Sequence, residues 1–202
     1  HNAFKRYITK AVKLGLCKSN PYDEFKYSKG RDLKEPVFLT DEELKKIIDY
    51  IPESDKLKRV KDMFVFQCFT GLAFVDMVNF NSDWISDENG YKIIRGFRTK
   101  TGEPFVSLLL PEAERVLKKY GSPPSISNQK YNDYLGVLGA AARISKPITS
   151  HVARHTFATY LLNRGIPIET VSKAIGHASV KQTEHYAKLL SIKVISDMKK
   201  LL

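Results

Sequence analysis

The stretch TSHVARHTFATYLLNRG, residues 149–165, combines two histidines and two arginines with apolar side chains on one short segment. Val152, Phe157 and Leu161 predict a helix with one apolar side. Thr149 or Ser150 is the candidate N-cap, and Gly165 is the expected stop signal. A core helix does not need the basic cluster, and a solvated helix does not need the apolar residues. We therefore expect a helix that packs on a core and presents a polar edge to a ligand.

The polar edge of this helix is suited to an anion. His151 and Arg154 are three residues apart, so they share a face in the first turn after the cap. Free backbone N–H groups at a helix start attract anions, and the planar guanidinium of arginine can hold two phosphate oxygens at once. The alternative is a surface arginine beside a core histidine.

His151 and His155 also have the i, i+4 spacing of two metal ligands. The segment lacks the glutamate of an HExxH motif, and no third ligand lies at a fitting distance. We therefore predict no metal site, and we interpret His155 as a buried, hydrogen-bonded histidine.

A second candidate group lies in AIGHASVKQTEHYAKL, residues 174–189. Gly176 ends one predicted helix, so His177 lies at the corner before the next. Tyr186 follows nine residues later, about two and a half helical turns on. A packing role is the simpler interpretation of this tyrosine. As a nucleophile, a phenol of pKa about 10 needs nearby cations that stabilise the phenolate, and Arg154 is one such cation.

The remaining sequence predicts an α+β fold that is mainly α-helical, with a small antiparallel β-hairpin or sheet. Thr40 and Glu43 form a capping-box pattern at the start of one helix. Strands are predicted in YKIIRGFRTK (91–100) and PFVSLLL (104–110), joined by the turn TGE. Helices are predicted at 3–16, 39–51, 57–70, 74–80, 111–120, 128–143, 150–164, 167–176 and 179–190.

The bulk composition favours a DNA-related role. The 202 residues fit one domain, and the net charge of +11 suggests an anionic partner, most often nucleic acid. No apolar run is long enough for a bilayer and no signal peptide is present, so no membrane partner is expected. Cys17 and Cys68 match no disulfide framework and no zinc spacing, which fits a cytoplasmic protein. Because the chain opens with His1, we expect a fragment of something longer.

Three motifs resemble the tyrosine recombinases, or phage-type integrases. These are HVARHTFAT (151–159), the dipeptide Gly176-His177, and TEHYAKL (183–189). The resemblance extends upstream to FLTDEELKKII, FTGLAFVDM and RTKTGE. It implies that residues 36–190 form the catalytic domain and that residues 1–35 are the last helix of a truncated core-binding domain plus a linker. It also implies that the tail 191–202 docks on a neighbouring protomer; packing on its own domain is the alternative.

The resemblance further implies a reaction that needs no metal or other cofactor. Tyr186 would attack a DNA phosphodiester and form a 3′-phosphotyrosyl link. Arg154 and His177 would stabilise the transition state, His151 would accept or donate a proton, and Lys100 would protonate the leaving 5′-oxygen. The implied partners are double-stranded DNA, a homotetramer of the chain on DNA, and accessory DNA-bending proteins.

The chain departs from the family at its first catalytic arginine. The family pattern T-G-L-R stands here as TGLA, so Ala73 occupies the arginine position. Either the active site has impaired activity, or another cation acts in place of the missing arginine. Arg98 is the candidate, because a strand would aim it the same way as Lys100; an exposed strand residue or a contact to a neighbouring phosphate are the alternatives. Arg95 has the opposite parity and is, with Lys181, a candidate for DNA contacts.

The expected function is therefore a site-specific DNA recombinase, acting at the bacterial nucleoid in integration or excision of a mobile element. Asp76 is expected to orient the site through hydrogen bonds, and a helix cap or a surface acid is the simpler alternative. Three rival functions stay open: a non-catalytic DNA-binding module of the same fold, a type IB topoisomerase-like enzyme, and a metallohydrolase built on His151, His155 and His177.

Overall fold

The computed structural model describes residues 2–24, 36–187 and 198. The chain divides into two compact units, residues 1–34 and 35–202. Most of the predicted linker and, apart from Met198, the whole predicted tail lie outside the described residues.

The first unit contains the helix predicted at residues 3–16. Helix α1 spans Asn2–Lys13 and ends before Gly15, whose φ of 71° is left-handed. A short helix, α2, spans Pro21–Glu24. Asn20 links the two helices, because its Nδ2 donates to Oγ1 of Thr9 at 3.0 Å and its Oδ1 accepts from the N–H of Tyr22 at 3.1 Å.

The second unit is mainly helical with one small sheet, which confirms the predicted α+β class. Thr40 and Glu43 form the expected capping box, in which each side chain accepts from the other residue's backbone N–H. The helices are α3 (Asp41–Asp49), α4 (Asp55–Thr70), α5 (Phe74–Val78), α6 (Pro111–Tyr120), α7 (Asn128–Ala141), α8 (Ser150–Asn163), α9 (Ile168–Ile175) and α10 (Lys181–Ala187), with a 3₁₀ turn at Ser82–Trp84.

The sheet has three antiparallel strands, in the order β1 (Ile85–Glu88), β2 (Tyr91–Phe97) and β3 (Pro104–Leu108). Both predicted strands are present as β2 and β3, and the sequence missed β1. Strand β1 has only four residues, and two of them are Asp and Glu, which are uncommon in strands. The sequence pattern therefore indicates a loop. Its pairing comes from tertiary context, since Ile85 lies opposite the buried Ile94.

The prediction that Arg98 and Lys100 lie together on a strand was wrong. Strand β2 ends at Phe97, and the chain turns at once because the carbonyl of Arg98 accepts from the N–H groups of Thr101 and Gly102. Both basic residues therefore belong to the β2–β3 turn, and strand parity does not decide where they point.

Helix α4 is the centre of the core. Met63, Phe64, Phe66 and Cys68 are fully buried on it, which confirms the buried interpretation of Cys68. Helices α3, α6, α7 and α8 pack around α4, and α9 packs on β3. This arrangement brings the C-terminal end of α4, the start of α8 and the end of α9 to one side of the unit. Among the helices of residues 2–24 and 36–187, none is long and apolar enough to cross a bilayer.

Candidate active site

Helix α8 begins at the basic motif, and its N-cap is Thr149 rather than Ser150. Oγ1 of Thr149 accepts from the N–H of Val152 at 3.3 Å, while the N–H of Ser150 donates to Oδ1 of Asn132 at 3.0 Å. His151 is exposed at this end of the helix, and Arg154 is buried with 7% of its surface exposed. The alternative of a surface arginine beside a core histidine is therefore wrong.

Arg154 ties together the ends of two other helices. Its Nη1 donates to the carbonyl of Gly71 at 2.7 Å, and its Nη2 donates to the carbonyl of Ile175 at 2.6 Å. Burial, and secondly the charge of Arg98, lowers the pKa of the guanidinium to about 10, so Arg154 stays charged at neutral pH. Each carbonyl engages one N–H of the fork, so donors remain for an anion.

Gly71 allows this close approach. Its φ of 67° is left-handed, and a Cβ at this position would lie 2.3 Å from Cδ1 of Phe157 on α8. Only glycine therefore brings the end of α4 close enough for Arg154 to reach its carbonyl.

Tyr186, on α10, lies beside two imidazoles from other parts of the chain. Its Oη is 2.7 Å from Nδ1 of His155, and its ring centroid is 5.2 Å from that of His155 and 6.3 Å from that of His177. The tyrosine is only 5% exposed. Burial raises the pKa of its phenol, and the charge of Arg154 opposes that rise. The hydroxyl therefore rests protonated and hydrogen-bonded.

Both imidazoles are neutral at pH 7. Burial lowers the pKa of His155 to about 4, with smaller effects of His151 and Arg154. Burial likewise lowers the pKa of His177 to about 4, helped by Arg154 and Arg98. Nδ1 of His177 lies 2.9 Å from Oγ1 of the buried Thr183, which orients the ring.

Arg98 comes into the same region from the β2–β3 turn. Its Nη1 lies 2.8 Å from Oδ2 of Asp76, and its side chain is 11% exposed. No N–H points along that contact, so it is an ion pair rather than an aligned hydrogen bond. Burial lowers the pKa of Arg98, and Asp76 opposes that change. The aliphatic part of Arg98 packs on Gly176, where a Cβ would lie 2.9 Å from Cγ and Cδ.

Asp76 is neither a helix cap nor a surface acid. It is fully buried on α5, whose N-cap is Ala73, and its Oδ1 accepts from the N–H of Thr99 at 2.9 Å. The carboxylate thus holds both the backbone and the guanidinium of the turn that carries Lys100.

The other candidates lie at the surface. Lys100 is exposed on the turn, and within the described residues its amine has no ion-pair or hydrogen-bond partner. Arg95 is exposed and paired with Glu88 through Nη2 at 2.8 Å. Lys181 is exposed at the first position of α10, where Oγ of Ser179 accepts from its backbone N–H at 3.2 Å.

The structure therefore brings Arg154, His155, His177 and Tyr186 together, with Arg98 beside them. The sequence indicated His155 as a hydrogen-bonded residue but not its partner, and it missed Thr183. Thr183 stands three residues before Tyr186, on the same face of α10, and this spacing is the one signal for it. Within residues 2–24, 36–187 and 198, no three His, Cys, Asp or Glu side chains group as metal ligands.

Comparisons with known proteins identify the family of the chain. The phage integrase family matches residues 37–191. Tyrosine recombinase XerA of Pyrococcus furiosus is 30% identical over 169 residues, covering 76% of this chain and 58% of XerA. This chain thus spans less than two thirds of that relative's length.

Two solved structures share the fold. The XerH site-specific recombinase, in a post-cleavage complex with palindromic difH substrate, matches with a TM-score of 0.68 and 20% identity, covering 85% of this chain and 55% of XerH. The Tn1549 transposon integrase in complex with circular intermediate DNA matches with a TM-score of 0.60 and 20% identity, covering 92% and 72%. The family match spans well over half of the residues of this chain. The chain therefore belongs to the phage integrase family.

Proposed function

We propose that this chain carries the catalytic domain, residues 36–190, of a tyrosine-type site-specific DNA recombinase. The observation that carries the proposal is the position of Tyr186 between two neutral imidazoles and beside the buried cation Arg154. A phenol held next to fixed positive charge is suited to nucleophilic attack on a phosphodiester. The family membership and the net charge of +11 support DNA as the substrate.

The proposed reaction is a transesterification. The Oη of Tyr186 forms a bond to phosphorus as the bond from phosphorus to the 5′-oxygen breaks, which leaves a 3′-phosphotyrosyl link and a 5′-hydroxyl. Donors on Arg154 and His177 stabilise the charge on the non-bridging oxygens, and the family resemblance implies His151 as the proton acceptor or donor. Lys100 protonates the 5′-oxygen, a role that its exposed position on the β2–β3 turn supports.

Arg98 is proposed to take the role of the arginine that the family pattern has at position 73, where this chain has alanine. Three observations support this role: its guanidinium is mostly buried, it lies against Gly176 beside His177, and its charge acts on both Arg154 and His177. The paired carboxylate of Asp76 holds the guanidinium in place.

The biological role is proposed by analogy. The fold neighbour from transposon Tn1549 suggests integration or excision of a mobile element, acting on chromosomal DNA in the cytoplasm. Recombination needs four such sites, so a homotetramer on DNA is proposed, with exchange of the tail 191–202 between protomers and with accessory DNA-bending proteins. Residues 1–35 are proposed as the end of a core-binding domain, and Arg95 and Lys181 as DNA contacts.

The test is capture of a covalent intermediate. The purified protein is mixed with a pool of short duplexes that have randomised sequence on both sides of a nick, so that the small 5′-hydroxyl fragment diffuses away after cleavage. We expect a protein–DNA adduct that survives denaturing electrophoresis and is absent with Tyr186→Phe. Binding without any adduct would establish the non-catalytic module, and relaxation of plasmids without a specific site would favour the topoisomerase.

A further inference from the structure

His155 contacts the hydroxyl group that the proposed reaction uses. Its Nδ1 lies 2.7 Å from Oη of Tyr186, and the two rings are tilted by 49° with their centroids 5.2 Å apart. The contact joins α8 to α10 across 31 residues of chain. It is therefore a feature of the tertiary structure and not of the motif spacing.

The other groups around Tyr186 are less suited to taking its proton. His151 is exposed, and its ring stacks on that of His155 with the centroids 6.4 Å apart. Within the described residues His151 makes no hydrogen bond to Tyr186. Nδ1 of His177 is engaged by Thr183. Arg154 has no lone pair to offer. Within the described part of the chain, His155 is thus the one base in contact with the hydroxyl.

We propose that His155, and not the His151 that the family resemblance implies, is the catalytic residue that accepts the phenolic proton of Tyr186 during DNA cleavage. The inference rests on the proposed function. As the bond between Oη and phosphorus forms, the proton of Oη moves to Nδ1 of His155, and the 5′-oxygen leaves with a proton from Lys100. In the reverse step His155 returns the proton to Oη, and the 5′-hydroxyl gives its proton to Lys100. Both His155 and Lys100 thus return to their starting protonation states.

The resting electrostatics fit this role. In the tautomer that has its hydrogen on Nε2, a neutral His155 offers the lone pair of Nδ1 to the hydroxyl of Tyr186. The charged and titratable groups that face it are His151 and Arg154 on α8, His177 at the start of the α9–α10 corner, and Tyr186 on α10. A bound phosphate adds negative charge to this group and so raises the basicity of the imidazole. The protonated phenol of the resting state needs such an acceptor.

The test variant is His155→Asn, measured in single-turnover cleavage of a duplex sequence recovered from the covalent adducts. The asparagine amide places an oxygen near the position of Nδ1, so it keeps the hydrogen bond but does not take up a proton. We expect the cleavage rate at pH 7 to fall by about 10²–10⁴-fold, and to recover as the pH rises toward that of phenol ionisation. Replacing Tyr186 in this variant by 3,5-difluorotyrosine, whose hydroxyl is more acidic, should restore cleavage at pH 7.

His185→Asn is the matched control, since it makes the same substitution one residue before Tyr186 on the exposed side of α10. Thermal unfolding and DNA binding of both variants show whether the fold is kept. Unchanged or faster cleavage by His155→Asn overturns the inference alone, as does a loss that neither alkaline pH nor the fluorinated tyrosine repairs. Failure of the unmodified protein to form any adduct overturns the proposed function, and with it this inference.

Discussion

Nη1 of Arg98 lies 2.8 Å from Oδ2 of Asp76, and the carboxylate in this pair is fully buried. The pair joins the β2–β3 turn to α5, the helix that begins just after Ala73. An arginine from a distant segment thus comes within electrostatic reach of Arg154 and His177, in a chain that has Ala73 where the pattern T-G-L-R has its arginine.

Removing Arg98 should separate its catalytic effect from its structural one. Arg98→Ala leaves Asp76 buried and unpaired, which costs about 3–5 kcal/mol of folding free energy. The double variant Arg98→Ala/Asp76→Asn removes that charge while the amide oxygen still accepts from Thr99. We expect this double variant to regain stability in urea unfolding, yet to form the DNA adduct about 10²–10³-fold more slowly.

Two further variants serve as controls for the Arg98 experiment. Arg115→Ala removes an exposed arginine that pairs with Glu112 on α6, and it should leave adduct formation unchanged. Adding Ala73→Arg to the double variant should restore part of the rate, because it places a guanidinium where the pattern T-G-L-R has one. Full cleavage by the double variant would remove Arg98 from the site.

Lys100 can be tested through the leaving group. Lys100→Ala should slow cleavage of ordinary DNA by about 10²–10⁴-fold, because the 5′-oxygen then leaves without a proton. A duplex with sulfur at the 5′-bridging position should be cleaved at nearly the unmodified rate by the same variant, since a thiol of pKa about 8.5 leaves as the thiolate. Arg98→Ala/Asp76→Asn should gain no comparable rescue. An equal loss on both substrates would contradict the general-acid role.

Two left-handed glycines should respond differently to the same substitution. Gly71 and Gly165 have φ of 67° and 81°, so alanine costs each about 1–2 kcal/mol of backbone strain. A Cβ at Gly71 also meets Phe157, whereas nothing lies within 4 Å of one at Gly165. Overpacking should therefore add about 1–3 kcal/mol to the loss for Gly71→Ala in urea unfolding. Equal losses would show that α4 and α8 can separate freely at this point.

Acid should destabilise the DNA-free protein, because two half-buried histidines take up protons more readily in the unfolded chain than in the folded one. The folded pKa values of His155 and His177 are about 4, below the unfolded value near 6.5. Between these values the unfolded chain binds more protons, so stability falls as the pH drops from about 6.5 toward 4. We expect Tm to decrease from pH 7 to pH 5, a range that lies above the lowered pKa of Glu43.

The variant that checks this assignment is His155→Asn/His177→Asn, which removes both titrating imidazoles. Its Tm should change less between pH 7 and pH 5 than that of the unmodified protein. A slope as steep as in the unmodified protein would assign the acid sensitivity to other groups.

Sequence alone determined the local features of this protein. The Thr40–Glu43 capping box, the ends of α4 and α9 at Gly71 and Gly176, and the order of the basic motif, Gly176-His177 and Tyr186 are all local signals. Such signals act within one or two helical turns, where backbone geometry leaves few alternatives. The helical class of the fold followed from them, as did the family resemblance.

The tertiary structure decided which groups meet. Arg154 is bonded to a carbonyl 83 residues away, and Tyr186 meets His155 across 31 residues. Strand β1 pairs with β2 so that Ile85 lies opposite the buried Ile94, and Arg98, which follows the last residue of β2, pairs with the buried Asp76. Contacts of this kind depend on how helices and strands pack together, and packing depends on the shapes of side chains that are distant in sequence.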